Sequence, residues 1–191
     1  YQKNHANHVR HLAGQLFDQL VPLHGCSAAD RELLDASALL HDLGTIIAYD
    51  GHHKHSQTLI HFNGLVVYSR REICLIALLT RYHRKGTPNI EGYETVLDPQ
   101  DEKTLVSLAG ILRMAEFLER GRNAAVSDVS AQWDDDTLRI TLVGDEHPAV
   151  EIWESQRNAV PLLESAFNRR VTIDSMAAPA NYERKRRHGE P

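Results

Sequence analysis

The stretch from Leu39 to Gly44, which reads Leu-Leu-His-Asp-Leu-Gly, constrains this chain more than any other feature of its sequence. His41 and Asp42 stand side by side in it, at the end of an apolar run typical of the interior of a helical protein. Burying a charge beside an imidazole is costly unless a partner compensates for it, and a bound metal ion is a common partner. The pair therefore predicts a buried site to which other parts of the chain contribute. The competing interpretation is a hydrogen-bonded His-Asp pair at the end of a helix.

The composition is that of a globular protein. The 191 residues are 42% hydrophobic and 25% charged, enough for a core in one main domain with an appendage. No apolar window is long enough to span a bilayer, and the net charge of -5 argues against a nucleic-acid partner. Cys26 and Cys74 make no disulfide framework, so we expect a cytoplasmic protein. From the hydropathy and the net charge together, we expect no membrane or nucleic-acid partner. Because the chain begins at Tyr1 and not at a methionine, we expect a fragment of a longer protein.

Apolar side chains at helical spacing predict five helices in the first part of the chain. These helices cover about 5–20, 28–42, 58–62, 69–82 and 101–123. Alternating apolar and polar residues then predict a β-hairpin at 126–133 and 137–143, followed by a helix at 150–168 and a strand at 170–173. We therefore predict a mostly α fold: a helical domain at 1–125, a small β-β-α-β unit at 126–174 and a disordered tail at 175–191.

Two further groups belong to the predicted buried site. His5 lies near the middle of the apolar face of the first helix, whereas His11 lies on the opposite side, so His5 is expected to point inward. Glu116 and Glu119 continue the apolar row of the long helix, which is unusual for carboxylates. We expect Glu116 to act as a metal ligand or to support one. We expect Glu119 to pair with an arginine, for which the candidates are Arg113, Arg120 and Arg122.

Basic groups gather at two places. His52, His53, Lys54 and His55 occupy four consecutive positions, and Arg81, His83, Arg84 and Lys85 end the fourth helix. Such clusters suit a metal or a polyanion. The alternatives are a solvated turn for the first cluster and a favourable interaction with the helix dipole for the second.

A histidine on the first helix, a later His-Asp doublet, further histidines and a late carboxylate together resemble the HD superfamily of metal-dependent phosphohydrolases. The resemblance implies an HD-domain helical bundle that holds a divalent ion, with Mg, Mn, Fe and Zn as candidates. It makes His5, His41 and Asp42 metal ligands, with Asp42 as the candidate catalytic residue, and His55 and His83 additional ligands. The superfamily ends its ligand set with an aspartate, whereas this chain has Glu116, which is one methylene longer.

Five segments are similar to a narrower family, the exopolyphosphatase/guanosine pentaphosphate phosphohydrolase (Ppx/GppA) family, in its C-terminal HD-type domain. The segments are His-Ala-Asn-His-Val at 5–9, Leu-Phe-Asp at 16–18, Ala-Leu-Leu-His-Asp-Leu-Gly at 38–44, Gly-His-His-Lys-His-Ser at 51–56 and Arg-Tyr-His-Arg-Lys at 81–85. The similarity extends from His5 to about Ile173. The fourth and fifth segments are specific, whereas a His-Asp doublet alone would be weak.

This resemblance implies a division of labour within a longer protein. Two actin-like domains of the same parent protein would carry the hydrolytic site, and this domain would help to bind polyphosphate or guanosine pentaphosphate. The residues it assigns to substrate binding are His52, His53, Lys54, Arg81, Arg84 and Lys85. Two other interpretations remain open: a free-standing metal-dependent phosphohydrolase acting on a nucleotide or phosphate ester, and a non-enzymatic regulatory or dimerisation module, with a homodimer as its product.

Overall fold

A computed structural model describes residues 3–177 of the chain. Within that range, seven α-helices precede or flank a three-stranded sheet, and the predicted mostly α fold with a small C-terminal α+β unit is confirmed. The helices are α1 (Lys3–His24), α2 (Ala28–Leu40), α3 (His52–Asn63), α4 (Arg70–Tyr82), α5 (Pro99–Leu118), α6 (Ala149–Asn158) and α7 (Val160–Phe167). The strands are β1 (Asp128–Trp133), β2 (Thr137–Val143) and β3 (Arg170–Ser175). The predicted disordered tail is wrong at its first residue, since Ser175 ends β3, and its part from 178 onward lies outside the described residues.

Capping boxes fix where three of these helices begin. In each, a side-chain oxygen accepts a hydrogen bond from a backbone N–H three residues later, and an acidic side chain at that position bonds back to the cap. The three pairs are Ser27 with Asp30, Ser69 with Glu72, and Asp98 with Asp101. The local sequence thereby sets the start of α2, α4 and α5, the helices that lead into the predicted site.

The structure corrects three predicted helix boundaries. The third helix begins at His52 and not near residue 58, so the basic cluster forms its first turn. α5 ends at Leu118, and the five residues that follow, although predicted to be helical, leave the helix axis. The single helix predicted at 150–168 is two helices broken at Ala159, because Pro161 has no N–H with which to continue the ladder. The appendage is therefore β-β-α-α-β.

The sheet has the order β1-β2-β3. β1 and β2 form the predicted antiparallel hairpin, whose turn is closed by the Asp134 carboxylate, which accepts hydrogen bonds from the backbone N–H groups of Asp136 and Thr137. β3 returns parallel to β2 after the crossover through α6 and α7. β1 packs against α1, and α6 and α7 pack against α5.

One hydrophobic cluster joins the helices to the sheet, and α5 is its central element. Leu16 of α1, Leu79 of α4, Leu112 of α5 and Ile140 of β2 all belong to it and are fully buried. The predicted boundary at 125–126 therefore lies within a continuous core. Among the described residues, no helix combines the length and the apolar character needed to cross a membrane.

Candidate metal centre and adjoining cationic cavity

Six ionisable side chains from different elements meet at one buried place, which we call the histidine–carboxylate cluster. They come from the first turn of α1, the turn after α2, the first turn of α3, the residue after α4 and the last turn of α5. The residues are His5, His41, Asp42, His52, His83 and Glu116, each less than 9% exposed. The geometry brings together residues separated by more than a hundred positions in the sequence.

Three of these residues form a compact group of donor atoms. Glu116 Oε2 lies 3.2 Å from His5 Nε2 and 3.2 Å from His41 Nε2, and the two Nε2 atoms are 3.3 Å apart. Donor atoms that bind one ion at about 2.0–2.1 Å lie about 3 Å from each other, so this spacing suits a shared ion. The glutamate, although longer than the aspartate of the HD superfamily, reaches both imidazoles.

A second group shares His41 and adds Asp42 and His83. Asp42 Oδ1 lies 3.7 Å from His41 Nε2, 4.0 Å from His83 Nε2 and 3.1 Å from His52 Nε2. This oxygen is buried and has no hydrogen-bond partner, and the nearby His52 Nε2 also lies 3.3 Å from His83 Nε2. A buried carboxylate oxygen without a donor is the atom that a cation would satisfy.

Backbone contacts fix how three of the imidazoles can act. The Nδ1 atoms of His41, His52 and His83 lie 2.7, 2.8 and 2.7 Å from the carbonyl oxygens of Ala38, Tyr49 and Thr80. Since a carbonyl can only accept, each Nδ1 carries the hydrogen and each neutral ring turns an Nε2 lone pair inward. Two facing lone pairs need a cation between them, either a proton or a metal ion. The donor set therefore fits a divalent ion bound through Nε2 and carboxylate oxygens.

The charges within the metal-free cluster compensate one another. Burial opposes ionisation of Glu116, but the hydrogen bonds with His41 and His5 and the charge of His41 outweigh it and hold the pKa of this carboxyl well below its ordinary value. Burial also opposes the charge on His41, yet Glu116 and Asp42 raise the pKa of that imidazole. Burial, reinforced by the charge of His41, lowers the pKa of His83 to about 3. The cluster therefore retains a positive charge at His41 beside two carboxylates.

Two arginines from the segment after α5 face the outer oxygens of the cluster carboxylates. Arg122 Nη2 donates to Asp42 Oδ2 at 2.9 Å, and Arg120 Nη1 lies 3.9 Å from Glu116 Oε1. Both side chains are about a quarter exposed, at 26% and 27%. Sequence reasoning missed these contacts, although Glu116 and Arg120 stand at the i, i+4 spacing of a helical ion pair.

The expected pairing of Glu119 with an arginine is wrong. Its Oε2 lies 3.7 Å from His8 Nε2, and its Oε1 accepts a hydrogen bond from the Ala124 backbone. Arg113 donates instead to the carbonyl oxygens of Tyr82 and Gly86. The expectation for α1 is confirmed, since His5 is buried and His11 is exposed.

The structure places His52 in the cluster and leaves His55 outside it. His55 is half-buried on α3 and belongs to neither of the donor groups found within residues 3–177, so its role as a ligand stays a prediction. His52, which was expected to bind substrate, lies within the cluster, 3.1 Å from Asp42 Oδ1. His52 and His55 are three positions apart, which places them only about 60° apart around the axis of α3, so helical periodicity alone barely distinguishes them. Only the observed start of the helix reveals which one faces inward.

A cavity of about 350 Å³ adjoins the cluster, and we call it the cationic cavity. Three cations line it, Arg84, Lys85 and Arg120, together with His53 and the carboxylates of Asp50 and Glu154; the other lining residues are Tyr49, Gly51, Phe117 and Asn158. Of the remaining predicted substrate-binding residues, Lys54 is exposed and Arg81 half-buried, and neither lines the cavity.

His53 and the start of α3 give this cavity its character. The His53 Nε2 atom is buried and has no hydrogen-bond partner, and burial, together with Arg81 and Lys85, lowers the pKa of the ring to about 4. Gly51, in the left-handed conformation with φ 67°, precedes α3 and supplies no side-chain cap. α3 therefore begins beside the cavity with no side-chain cap on its first turn.

A helical domain with a buried histidine–carboxylate cluster beside a cationic cavity is suited to binding cations and anions next to each other. Residues 2–151 match the family model described as Ppx/GppA phosphatase, domain III. The chain belongs to the Ppx/GppA phosphatase family, and the resemblance carried by its five sequence segments is confirmed.

Proposed function

We propose that this chain is the substrate-binding, metal-holding domain of an exopolyphosphatase-like phosphoanhydride hydrolase, acting on polyphosphate or guanosine pentaphosphate. One observation carries the proposal: a cluster of inward-facing Nε2 and carboxylate atoms adjoins a cavity lined by Arg84, Lys85 and Arg120. Membership of the Ppx/GppA family supports the reaction class.

Each residue of the site has a definite task in this proposal. His5, His41 and Glu116 hold one divalent ion, and Asp42 and His83, with His52 beside them, complete the ligand set on the other side of His41. When bound, such an ion polarises a phosphoryl oxygen and lowers the pKa of a water molecule. Arg122 holds Asp42 Oδ2, which leaves Oδ1 directed at the imidazoles. Arg84, Lys85 and the start of α3 neutralise the phosphates of the substrate.

The division of labour follows the family resemblance. Actin-like domains of the same parent protein carry the main hydrolytic site, and the cationic cavity of this domain holds part of the phosphate chain. Lys54 and Arg81 extend the basic surface outside the cavity. Since each phosphate of polyphosphate brings about one negative charge, we expect binding to weaken steeply with salt, as it does for nucleic-acid backbones.

Calorimetric titration of the metal-free chain with inorganic tripolyphosphate tests the anion site. Arg84→Ala and Lys85→Ala each remove a cavity cation and should weaken binding by a factor of about 5 or more at low salt, in keeping with about 1 kcal/mol or more for a charge-assisted hydrogen bond. Arg139→Ala is the matched control, because Arg139 lies on β2 and pairs with Asp174. If the cavity variants bound tripolyphosphate as tightly as the control does, the proposed substrate site would be wrong.

A second candidate function is favoured by the unsatisfied Asp42 Oδ1: the cluster itself hydrolyses a phosphate ester or nucleotide, with Asp42 as its catalytic residue. Phosphate release by the chain loaded with Mn²⁺ distinguishes the two candidates. Hydrolysis that disappears in both His41→Ala and Asp42→Ala supports the second function. Mn²⁺ binding without hydrolysis supports the first.

A further inference from the structure

We infer that Arg120 couples the cationic cavity to the histidine–carboxylate cluster, so that an anion bound in the cavity strengthens cation binding at the cluster. The inference rests on the proposed function and goes beyond it, because it makes the two sites interdependent through one side chain. Arg120 lines the cavity, and its guanidinium also faces Glu116 Oε1.

The contact between Arg120 and Glu116 is loose. At 3.9 Å, Arg120 Nη1 is too far from Glu116 Oε1 for a hydrogen bond, and 27% of the side chain is exposed. The guanidinium also lies over the Phe117 ring, with its Cζ 5.9 Å from the ring centroid. Nothing in these contacts fixes the guanidinium, so a better partner in the cavity can draw it away.

Arg122 provides a contrast on the same segment. Its Nη2 donates to Asp42 Oδ2 at 2.9 Å, and it does so from a left-handed backbone with φ 56°, a conformation costly for a residue with a side chain. It does not line the cavity. Of the two arginines beside the cluster, Arg122 is held by a hydrogen bond, and Arg120 is the one with access to an anion.

A tetrahedral anion is a better partner for Arg120 than the distant carboxylate oxygen. A guanidinium binds phosphate or sulfate through two parallel hydrogen bonds. The cavity adds Arg84, Lys85 and the start of α3 to the attraction, whereas Asp50 and Glu154 oppose it, leaving three cations against two carboxylates. The buried, unpartnered His53 Nε2 belongs to a residue that also lines the cavity.

Moving Arg120 changes the charge that a bound cation meets. With the guanidinium beside Glu116, the negative charge on that carboxylate is shared between Arg120 and the cluster. When an anion draws the guanidinium into the cavity, the full charge of Glu116 acts on the cluster and a divalent cation binds more tightly. By thermodynamic linkage the cation must strengthen anion binding by the same factor, and we expect about 5-fold or more.

The test measures Mn²⁺ affinity calorimetrically in chloride and in saturating sulfate, with sulfate at equal concentration in cell and syringe. In the unaltered chain, sulfate should tighten Mn²⁺ binding about 5-fold or more. In Arg120→Ala, Mn²⁺ should bind in chloride about as tightly as it binds to the unaltered chain in sulfate, and sulfate should change nothing further. Lys85→Ala is the matched control: it needs more sulfate to saturate, but at saturation it keeps the full effect.

Three other results would overturn the coupling between the cavity and the cluster. Equal Mn²⁺ affinities with and without sulfate would overturn the coupling while leaving the proposed function intact, and so would an undiminished sulfate effect in Arg120→Ala. If neither ion bound, the proposed function would fail together with the inference. Thermal unfolding verifies that Arg120→Ala is folded. Arg120→Lys, which keeps the charge but loses the paired hydrogen bonds, should retain only part of the effect.

Discussion

α5 passes through two buried regions that contribute to the protein in opposite ways. Its middle, around Leu108 and Ile111, lies fully buried in the hydrophobic core. Its last turn places Glu116 among imidazoles, where the carboxylate and its partners are as inaccessible as the core. Burial stabilises the first region, whereas in the second it costs free energy that paired charges only partly return. The last turn of α5 is therefore better explained by function than by stability.

The largest expected change in the free energy of unfolding comes from the apolar middle of α5. Ile111→Ala should lower the free energy of unfolding by about 2–5 kcal/mol, because the side chain is fully buried and its removal leaves a cavity. Chemical denaturation measures this loss, and Val67→Ala, at a residue 85% exposed, is the control, with an expected change within about 0.5 kcal/mol. The Mn²⁺ affinity of the folded protein should be the same in all three proteins. If Ile111→Ala abolished Mn²⁺ binding while folded, the two regions would not be separable.

The second prediction concerns the polar half. Mn²⁺ at 100 times its dissociation constant should raise the free energy of unfolding by about 2.7 kcal/mol. His41→Ala should abolish this gain, because His41 belongs to both donor groups. His55→Ala is the informative counterpart: the gain should survive there, since His55 belongs to neither group. Loss of the gain in His55→Ala but not in His41→Ala would contradict the arrangement of ligands described above.

The third prediction concerns the pH dependence of the free energy of unfolding, which the buried imidazoles of His53 and His83 should affect. The pKa values of His83 and His53 are lowered to about 3 and about 4. In the folded, metal-free protein both rings stay neutral as the pH falls from about 6.5 to 5, whereas in the unfolded chain they take up protons near the ordinary histidine pKa of about 6.5. This contribution to stability is therefore fully present above pH about 6.5 and is lost progressively as the pH falls toward the folded-state pKa values of about 4 and about 3.

His53→Gln isolates one of these contributions. It should reduce the dependence of the unfolding free energy on pH by up to one proton, or about 1.4 kcal/mol per pH unit, between pH 6 and 5. Denaturant unfolding at several pH values in the presence of a chelator measures the slope. An unchanged slope would mean that His53 takes up its proton in the folded protein too.

The sequence predicted the two regions unequally well. Helical periodicity located the apolar core, because that signal depends only on neighbouring residues. His5, His41 and Glu116 could be proposed as partners because each stands on an apolar helical face. The position of His52 within the cluster could not be foreseen, since it depends on where α3 begins.

The segment after α5 was the hardest part to predict. Periodicity continued the helix to 123, but the chain leaves it after Leu118, and Arg122 and Ala124 adopt left-handed conformations. Nothing local to the sequence demands those conformations. They follow from tertiary contacts, the ion pair between Arg122 and Asp42 among them, which a propensity argument cannot contain.

The smallest expected effect comes from relieving backbone strain in the segment after α5, where Arg122 and Ala124 are left-handed. Ala124 has φ 53°, which costs a residue with a Cβ about 1–2 kcal/mol, whereas glycine adopts it freely but loses about 0.5–1 kcal/mol of unfolded-state entropy. Ala124→Gly should therefore stabilise the protein by about 0.5 kcal/mol. Mn²⁺ affinity should not change, because Ala124 supplies no ligand.

Arg122→Gly relieves the same kind of strain and also removes the hydrogen bond to Asp42 Oδ2, so it separates the two contributions. Its gain in backbone freedom should be offset by the loss of a charge-assisted bond worth about 1.5–3 kcal/mol, giving a net destabilisation in denaturant unfolding. Mn²⁺ binding should weaken too, since Asp42 Oδ1 is no longer held toward His41. If Arg122→Gly stabilised the protein as Ala124→Gly does, the left-handed backbone at Arg122 would not support any interaction with the cluster. The segment after α5 would then contribute nothing to the cluster, whose last member from this part of the chain would be Glu116.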